Sequence, residues 1–349
     1  MSQFAQSDAV PQVSVVCAWY NRADYVRDTL DSLLAQDHPN FEVVLVNDGS
    51  RDSKVREILD SYTDPRLRMI HGANRGFTAA IAHAVDQARG AYVAVQGAGD
   101  VSHPARLRLQ AGALAADQGL VGVGCARENH VIGGARDGER RTVGHTRTRV
   151  TTQHLLTEVG CPVNHGDVMF RRDAYMACGG YRPFFRLAQD WDLWIRMSAA
   201  GDFALLDEVL YERRVFMADG IASRVDKSLT QARYGRIAKS CFAERKRYGV
   251  DIVDLFGLDA GLYLPPDRFM ADETAKTAVK YIRAGAFADG TLLADLARRE
   301  ALTARVILAQ AVTWLCRTAR GRRWVLALAA KIPMKDRRAI LSLLPAENS

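Results

Sequence analysis

Four short stretches in the first hundred residues each combine side chains that could bind a nucleotide. They are Trp19-Tyr-Asn-Arg22, Asn47-Asp-Gly-Ser50, Ala73-Asn-Arg-Gly76 and Gln96-Gly-Ala-Gly-Asp100. An aromatic ring stacks on a base, a carboxylate accepts from ring N–H and ribose hydroxyl groups, and guanidinium groups bind phosphate. We therefore expect a nucleotide site if the fold brings these stretches together.

Each stretch directly follows a short apolar run rich in β-branched residues, which predicts a strand. The four runs are Val13–Ala18, Phe41–Val46, Leu67–Ile70 and Tyr92–Val95. The intervening segments Tyr25–Ala35, Lys54–Ser61 and Thr78–Ala88 have helical periodicity. Strand–helix–strand units of this length indicate parallel strands with right-handed crossovers. Because ligands bind beyond the carboxyl ends of such strands, the four stretches are expected to meet at one edge of the sheet.

The sequence after the fourth predicted strand indicates a less regular arrangement of strands and helices, followed by a helical region. Further predicted strands are Val121–Arg127, Val168–Arg171, Phe203–Leu206 and Leu210–Phe216, and further predicted helices are His103–Ala116, Thr151–Val159, Arg172–Cys178 and Asp190–Ala200. The polar segment Glu128–Val150 favours a loop or a β-hairpin. We expect one domain over residues 1–226, with a nucleotide-binding half at about 12–117 and an acceptor half at about 118–226. Residues 227–349 are expected to form a helical region with a basic tail.

Several cofactor classes are excluded by missing motifs. A dinucleotide site needs G-x-G-x-x-G after the first strand, where this chain has Ala18-Trp-Tyr-Asn21, and no P-loop is present. The eight histidines lack metal-ligand spacing, and the six scattered cysteines argue against a zinc ribbon, a redox dithiol and a disulfide scaffold. We expect neither NAD nor haem, and a reducing cytoplasm as the compartment.

The positive charge is concentrated at the C-terminus. From Val312 onward there are eight basic and two acidic residues, so this tail carries +6 of the net +7. Arginines next to Trp324, Val325 and Leu326 favour an interfacial helix on anionic lipid over a solvated helix packed on the body. The aromatic–basic interleaving of RNA-binding proteins is missing. With no signal peptide and no apolar run of about 20 residues, we expect a cytoplasmic protein, peripheral on the inner face of the membrane.

Taken in order, the motifs resemble those of the family 2 inverting glycosyltransferases. The matching stretches are Val13–Arg22, Phe41–Ser50, Ala73–Gly76, Ala88–Val95, Gly179-Gly-Tyr181 and Gln189–Arg196. The resemblance covers about residues 12 to 216. It implies an α/β fold of the GT-A type, a mostly parallel, Rossmann-like twisted sheet flanked by helices. It also implies a hexosyltransferase that moves a sugar from a nucleotide-diphosphate donor, UDP-linked, to a hydroxyl of a glycan or lipid-linked acceptor in polysaccharide synthesis.

The resemblance assigns roles to individual residues. Asp190 falls at the position of the catalytic base, and Asp48 at that of a carboxylate binding the base or ribose. The other donor-side candidates are Ala18, Tyr20, Asn21, Arg75 and Asp100, and the acceptor-side candidates are His165, Gln189 and Trp191. The residue patterns alone leave alternatives open, because Asp48 could simply form a turn and Asp190 could cap a helix.

The chain departs from the family pattern at the metal site. Relatives hold a divalent ion, Mn or Mg, on a D-x-D sequence that neutralises the leaving diphosphate. Here those two positions are Gly97 and Gly99, and Arg213-Arg-Val-Phe-Met217 lacks the histidine that often follows the late strand. Three hypotheses follow: Asp100 holds a metal, arginines such as Arg75 or Arg214 replace it, or the protein binds nucleotide sugar without catalysis.

Overall fold

The computed structural model describes residues 12–158, 160–217 and 225–330. The chain forms two compact units. The first runs through Phe216 and also includes Tyr234–Leu258, whereas the second comprises Met217–Arg233 and the chain from Asp259 onward. The candidate site residues of the sequence all belong to the first unit.

The first unit begins with regular strand–helix alternation. Its elements are β1 (Val13–Trp19), α1 (Val26–Leu34), β2 (Phe41–Asp48), α2 (Ser53–Asp60), β3 (Leu67–Gly72), α3 (Phe77–Asp86) and β4 (Tyr92–Gln96). The strands are parallel and lie in the order β3-β2-β1-β4. The predicted parallel half of the sheet is confirmed, and its carboxyl ends carry the four polar stretches.

The second half of this unit makes the sheet mixed. Its elements are β5 (Val101–Ser102), α4 (Arg106–Ala116), β6 (Leu120–Ile132), β7 (Arg140–Val143), β8 (Arg149–Val150), α5 (Thr152–Thr157), β9 (Met169–Arg171), α6 (Arg172–Ala177), α7 (Gln189–Met197) and β10 (Asp202–Phe216). The order continues β4-β9-β6-β10-β5, and β9 is antiparallel to both of its neighbours. Of the loop and the β-hairpin that the sequence left open for Glu128–Val150, the hairpin is present as the β6–β7 pair.

One prediction in this half is wrong. The two late strands predicted at Phe203–Leu206 and Leu210–Phe216 form the single strand β10. Its pairing with β6 shifts register between Leu206 and Val209. The polar residues Asp207 and Glu208 thus interrupt the apolar pattern at a bulge rather than at a turn.

The first strands have continuous apolar sequences because they lie in the core of the unit. Every residue of β1 and β2 is buried, because helices cover the sheet on both faces. One cluster packs Val13, Val15, Phe41 and Val43 with Leu107 and Leu114. The other packs Cys17, Trp19 and Leu45 with Val26, Leu30 and Leu59.

The C-terminal part is helical, as predicted. It comprises α8 (Val225–Tyr248), α9 (Ile252–Phe256), α10 (Arg268–Arg283), α11 (Phe287–Glu300), α12 (Ala304–Leu315) and α13 (Ala319–Ala330). Asp267 caps α10 by accepting from the N–H groups of Phe269 and Met270. Within the described ranges, no helix combines the length and apolarity that crossing a membrane needs. The tail residues Lys331, Lys335, Arg337 and Arg338 lie outside the described residues.

Candidate functional site

The loops after β1 and β2 are bonded to each other. Ser50 Oγ accepts the Asn21 backbone N–H at 2.8 Å, and Asn21 Oδ1 accepts the Arg51 N–H at 2.9 Å. Asn21 lies in the left-handed region with φ 57°, a conformation that asparagine tolerates better than most residues. Ala18 is buried within β1, whereas Tyr20 is 38% exposed. A ring that could stack on a base is therefore presented beside a rigid polar loop.

Asp48, the last residue of β2, shapes the loop that leads into α3. Its two carboxylate oxygens accept the backbone N–H groups of Arg75 at 2.7 Å and Gly76 at 3.0 Å. Asn74 Nδ2 donates to the Asp48 carbonyl at 2.9 Å. The turn-forming role that the sequence left open is thus real, while a contact with base or ribose stays a prediction. The Arg75 side chain is exposed. The hydrogen bond from the Arg75 backbone N–H to Asp48 keeps this residue at the same edge of the sheet.

Asp190 lies in the first turn of α7 and has few protein partners. Its Oδ1 accepts the N–H of Trp191 at 2.9 Å. The N-cap position belongs to Ala188, in the left-handed region with φ 54°, so Asp190 is not the cap itself. Burial raises the pKa of Asp190 to about 6, opposed by backbone N–H bonds and the Arg213 charge. A half-buried carboxylate with this pKa is ionised near neutral pH and is still a useful base.

Aromatic and histidine side chains connect Asp190 with the nucleotide end. His165 Nε2 bonds the Tyr181 hydroxyl at 2.7 Å, and the His165 ring meets Phe77, the first residue of α3, at 5.5 Å between centroids. Burial lowers the pKa of His165 to about 4, so its imidazole is neutral near pH 7. Burial also raises the pKa of Tyr181, with the Asp190 charge contributing. His165 is therefore a neutral polar group between Phe77 and Tyr181, and its contact with an acceptor stays a prediction.

The other predicted acceptor-side residues have different surroundings. Trp191 is buried, donates its indole N–H to the Leu155 carbonyl at 3.1 Å and has Lys239 Nζ 4.6 Å from its ring centroid. These are the contacts of a packed residue between α5 and α8. Gln189 is the first residue of α7 and is partly exposed beside Asp190.

A buried ion-pair network that the sequence did not predict holds α7 in place. Asp192 is 1% exposed and pairs with Arg182 and with Arg196, the latter at 2.7 Å. Arg196 also donates to the carbonyls of Cys178 at 2.7 Å and Gly180 at 2.6 Å. The network therefore ties the helix that carries Asp190 to the Gly179-Gly180 turn. In the sequence, the only indication of this network was the pair of opposite charges at Asp192 and Arg196, four positions apart on one helix.

Asp100 was expected to bind donor or metal, and the structure shows how its carboxylate is engaged. Oδ2 accepts from the Tyr211 hydroxyl at 2.7 Å, and Oδ1 accepts the Arg214 backbone N–H at 2.8 Å. Burial raises the pKa of Asp100, opposed mainly by these two bonds. A Cβ on Gly97 would lie 2.2 Å from Asp100 Oδ2, and one on Gly99 would lie 2.9 Å from a ring carbon of Phe216.

These contacts test whether the residues fit the divalent ion of the family. Neither D-x-D position has room for a side chain, and both Asp100 oxygens already accept hydrogen bonds. In the part of the chain that the structure describes, no group of three or more His, Cys, Asp or Glu is placed to hold a metal. The residues present do not fit a metal bound in the family's manner.

Three arginines lie near the turn after β4, and they differ in the contacts that their side chains make. Arg214 pairs with Asp28 at 2.7 Å and with Glu212 at 3.4 Å, and it lies over the Tyr25 ring. Arg22 Nη1 donates to the Ala98 carbonyl at 3.1 Å. Arg213 acts electrostatically on both Asp100 and Asp190, lowering the pKa of each. Arg214 was the arginine expected from the sequence, but it is the charge of its neighbour Arg213 that acts on Asp190.

A fourth arginine, Arg106, is fully buried and was also missed. Its Nη2 donates to the Val95 carbonyl at 2.7 Å and its Nη1 to Ser102 Oγ at 2.8 Å. The guanidinium carbon lies 4.8 Å from the centroid of the Tyr211 ring. Arg106 thus joins the end of β4 to the ring that bonds Asp100. The only signal in the sequence was an arginine next to the apolar positions Leu107, Ala111 and Leu114 of this helix.

The sequence comparisons identify the family of the chain. Residues 14–179 match the family model described as Glycosyl transferase family 2. Over 214 residues the chain is 30% identical to the putative glycosyltransferase EpsE of Bacillus subtilis, covering 58% of this chain and 73% of that protein. It is 28% identical over 205 residues to hyaluronan synthase of Pasteurella multocida, but covers only 20% of that longer protein. The chain belongs to the family 2 glycosyltransferases and is a glycosyltransferase enzyme.

Solved structures confirm the GT-A type of fold. The structure of TarS 1-349 of S. aureus superimposes with a TM-score of 0.52 at 15% identity, covering 92% of this chain and 91% of that one. The same protein in complex with UDP-GlcNAc gives a TM-score of 0.51 at 15% identity.

Proposed function

We propose that this enzyme transfers a sugar from a nucleotide-diphosphate donor, UDP-linked, to a hydroxyl of a glycan or lipid-linked acceptor, with inversion, in cell-surface polysaccharide synthesis. The observation that carries the proposal is Asp190, a carboxylate held at the start of α7 with its pKa raised to about 6. Relatives named hyaluronan synthase and chondroitin synthase, and a fold neighbour in complex with UDP-GlcNAc, support the donor and acceptor classes.

In the proposed reaction Asp190 removes the proton of the acceptor hydroxyl. The acceptor oxygen forms its bond to the anomeric carbon as the bond from that carbon to the diphosphate oxygen breaks. The bonding electron pair leaves with the nucleoside diphosphate, and the proton stays on the Asp190 carboxyl. A single displacement from the opposite side inverts the anomeric centre, and a positioned base contributes about 10²–10⁴-fold.

The nucleotide is proposed to bind along the ends of β1, β2 and β3. The Tyr20 ring would stack on the base, and the remaining lone pairs of Asp48 would accept from the base or ribose. Asn21 and Arg75 lie on the loops that Ser50 and Asp48 hold in place. The backbone bonds of Asp48 support this proposal because they keep its carboxylate in one orientation.

Asp190→Asn tests the proposal against its matched control, Asp173→Asn. Asp173 is an exposed carboxylate in the first turn of α6, and its Oδ1 also accepts the N–H of the following residue, at 2.7 Å. We expect Asp190→Asn to lower hydrolysis or transfer of a UDP-sugar by about 10²-fold or more, and Asp173→Asn to leave it unchanged. Turnover that survives in Asp190→Asn removes the base assignment. Wild-type protein that binds UDP-sugar without turnover would instead support a binding protein.

We also propose that the second unit binds an anionic membrane surface on the cytoplasmic side. Helix α12 turns an apolar face outward, with Ile307, Leu308, Trp314 and Leu315 exposed, and Trp314 is 65% exposed. On α13, Trp324 is 58% exposed and Leu328 is also exposed. The exposed Arg317, Arg320 and Arg323 add positive charge to the same two-helix segment. Apolar and basic side chains together fit the headgroup region of anionic lipid.

Vesicle cosedimentation of the full chain tests this surface. The pair Trp314→Ser with Trp324→Ser should abolish binding to vesicles containing phosphatidylglycerol, while Tyr248→Ser, at an exposed ring on α8 of the first unit, should not. Neutral phosphatidylcholine vesicles should bind weakly. Equal binding by the double variant refutes the proposal. A self-association that the same pair disrupts, without any vesicle binding, would assign the surface to a second copy.

A further inference from the structure

We propose that Arg213, rather than a bound divalent cation, neutralises the charge that develops on the leaving diphosphate. This inference rests on the proposed function, since it concerns the same transfer. It is carried by the packing around Gly97, by the state of Asp100 and by the position of Arg213.

The packing around Gly97 excludes the first ligand of a metal site. A Cβ at this position would lie 2.2 Å from Asp100 Oδ2 and 3.1 Å from the Tyr211 hydroxyl oxygen. Atoms that close cannot coexist without moving a buried carboxylate. The space that a metal-binding aspartate would need is therefore filled by Asp100 and Tyr211, and glycine is the residue that the packing requires.

Asp100 is itself used as a structural anchor. Its carboxylate bonds the side chain of Tyr211 and the backbone N–H of Arg214, both on β10. Its carbonyl accepts from Gln96 Nε2 at 2.9 Å and from Thr29 Oγ1 at 2.8 Å. Turning the carboxylate toward a metal would leave the Tyr211 hydroxyl and the Arg214 N–H without this acceptor, which is unfavourable for buried donors.

Arg213 lies near the turn after β4, the place where a metal ion supplies positive charge in the family pattern. It precedes Arg214, whose N–H bonds Asp100, so its backbone lies at the turn after β4. Its positive charge opposes the rise in the pKa of Asp100 and of Asp190, so the guanidinium lies within electrostatic range of both carboxyls. In the described ranges the structure gives this guanidinium no hydrogen bond or ion pair, in contrast to Arg214 with Asp28.

The guanidinium chemistry suits this task. Its planar fork donates two parallel hydrogen bonds to phosphate oxygens and stays charged at all relevant pH values. Because negative charge on the diphosphate grows as the bond to the sugar breaks, the contact strengthens in the transition state. Arg22, bonded to Ala98 and lying 3.9 Å from the Phe216 ring centroid, adds to the positive potential near the same turn.

The test compares metal dependence and arginine dependence in the full chain. Wild-type protein is stripped with EDTA, and UDP-sugar turnover is measured in chelator and after adding Mn²⁺ or Mg²⁺. We expect turnover in EDTA to equal that with metal. We expect Arg213→Ala to lower kcat by about 10²-fold or more, as for loss of one charge-stabilising donor. Arg213→Lys, which keeps the charge, should recover part of the loss. Arg56→Ala, at an exposed pair on α2, should change nothing.

Binding of UDP in EDTA, measured by calorimetry, gives a second readout. Arg213→Ala should weaken it and Arg56→Ala should not, with thermal unfolding confirming that both variants fold. Turnover that requires Mn²⁺, or UDP affinity equal in wild type and Arg213→Ala, overturns the inference while leaving the proposed function intact. Wild-type protein that turns over no nucleotide sugar in either condition contradicts the proposed function itself.

Discussion

The hydroxyl of Tyr211 donates to Asp100 Oδ2 at 2.7 Å and accepts the backbone N–H of Gly97 at 2.8 Å. A single phenol from β10 thereby closes the turn that follows β4, although the residues are more than a hundred positions apart. The ring of Tyr211 lies in turn against the buried Arg106 guanidinium. The turn that replaces the metal-binding motif is therefore built by residues from β4, α4 and β10.

Removing the Tyr211 hydroxyl should destabilise the protein. In Tyr211→Phe both the buried Asp100 carboxylate and the Gly97 N–H lose a partner, so we expect the free energy of unfolding to fall by about 1–3 kcal/mol. Urea unfolding followed by fluorescence measures the change. Tyr248→Phe is the control, because its ring is 64% exposed on α8. Equal stability of the two variants would contradict the role given to this hydroxyl.

A methyl group at Gly97 should not be tolerated. The added Cβ would meet Asp100 Oδ2 at 2.2 Å, and we expect Gly97→Ala to cost about 1–3 kcal/mol through overpacking. Gly112 provides the comparison, since nothing lies within 4 Å of its added Cβ in α4. Gly112→Ala should be neutral or should stabilise by up to about 1 kcal/mol. Chemical denaturation measures both; a stable Gly97→Ala variant would show that the turn can rearrange.

The activity should depend on the ionisation of Asp190. Because its pKa is raised to about 6, turnover should rise with pH through this value as the carboxylate forms. His165, with its pKa lowered to about 4, is neutral throughout and should not contribute to this limb. The raised pKa values of Tyr181 and Cys161 keep both groups neutral over this pH range. A kcat/KM profile from pH 5 to about 8 checks this; a profile flat through about pH 6 would exclude Asp190 as the titrating base.

The same pKa shift predicts a cost in stability. The folded pKa of Asp190 lies above its ordinary value of 3.8, so ionisation is less favourable in the folded than in the unfolded state. Stability should therefore fall as pH rises from about 4 to about 6. At pH 7, Asp190→Asn should be more stable than wild type by up to about 2–3 kcal/mol while losing turnover. Denaturation of this variant and of Asp173→Asn at pH 4 and about pH 7 measures the difference.

Breaking the network below α7 should be costly. Arg196→Met removes one partner of the buried Asp192 and leaves Arg182 as the other. We expect a loss of about 3 kcal/mol or more, because an incompletely paired charge remains buried. Arg56→Met, at a pair with both partners more than half exposed, should cost less than about 1 kcal/mol. Similar losses in both variants, measured by urea unfolding, would argue against a special role for the network.

Much of the first half of the fold could be predicted from local pattern. Each of the strands β1 to β4 lies within two residues of its predicted bounds, because buried parallel strands have continuous apolar runs and the helices between them have clear periodicity. The continuation was harder. The sequence predicted two strands, separated at Asp207 and Glu208, where the structure has the single strand β10. A bulge and a turn both appear in a sequence as a polar interruption of an apolar pattern.

The sequence by itself determined the family and the edge of the sheet at which the four polar stretches meet, and it predicted Asp190 as the first residue to test. It did so because short motifs keep their order and their spacing from the strands. Only the tertiary structure decided how Asp100 is engaged, why Gly97 admits no side chain, and that Arg213 rather than Arg214 acts on Asp190. These depend on β10, which lies next to the turn after β4 in space but far from it along the chain, and pairing at such distances leaves no local pattern to read.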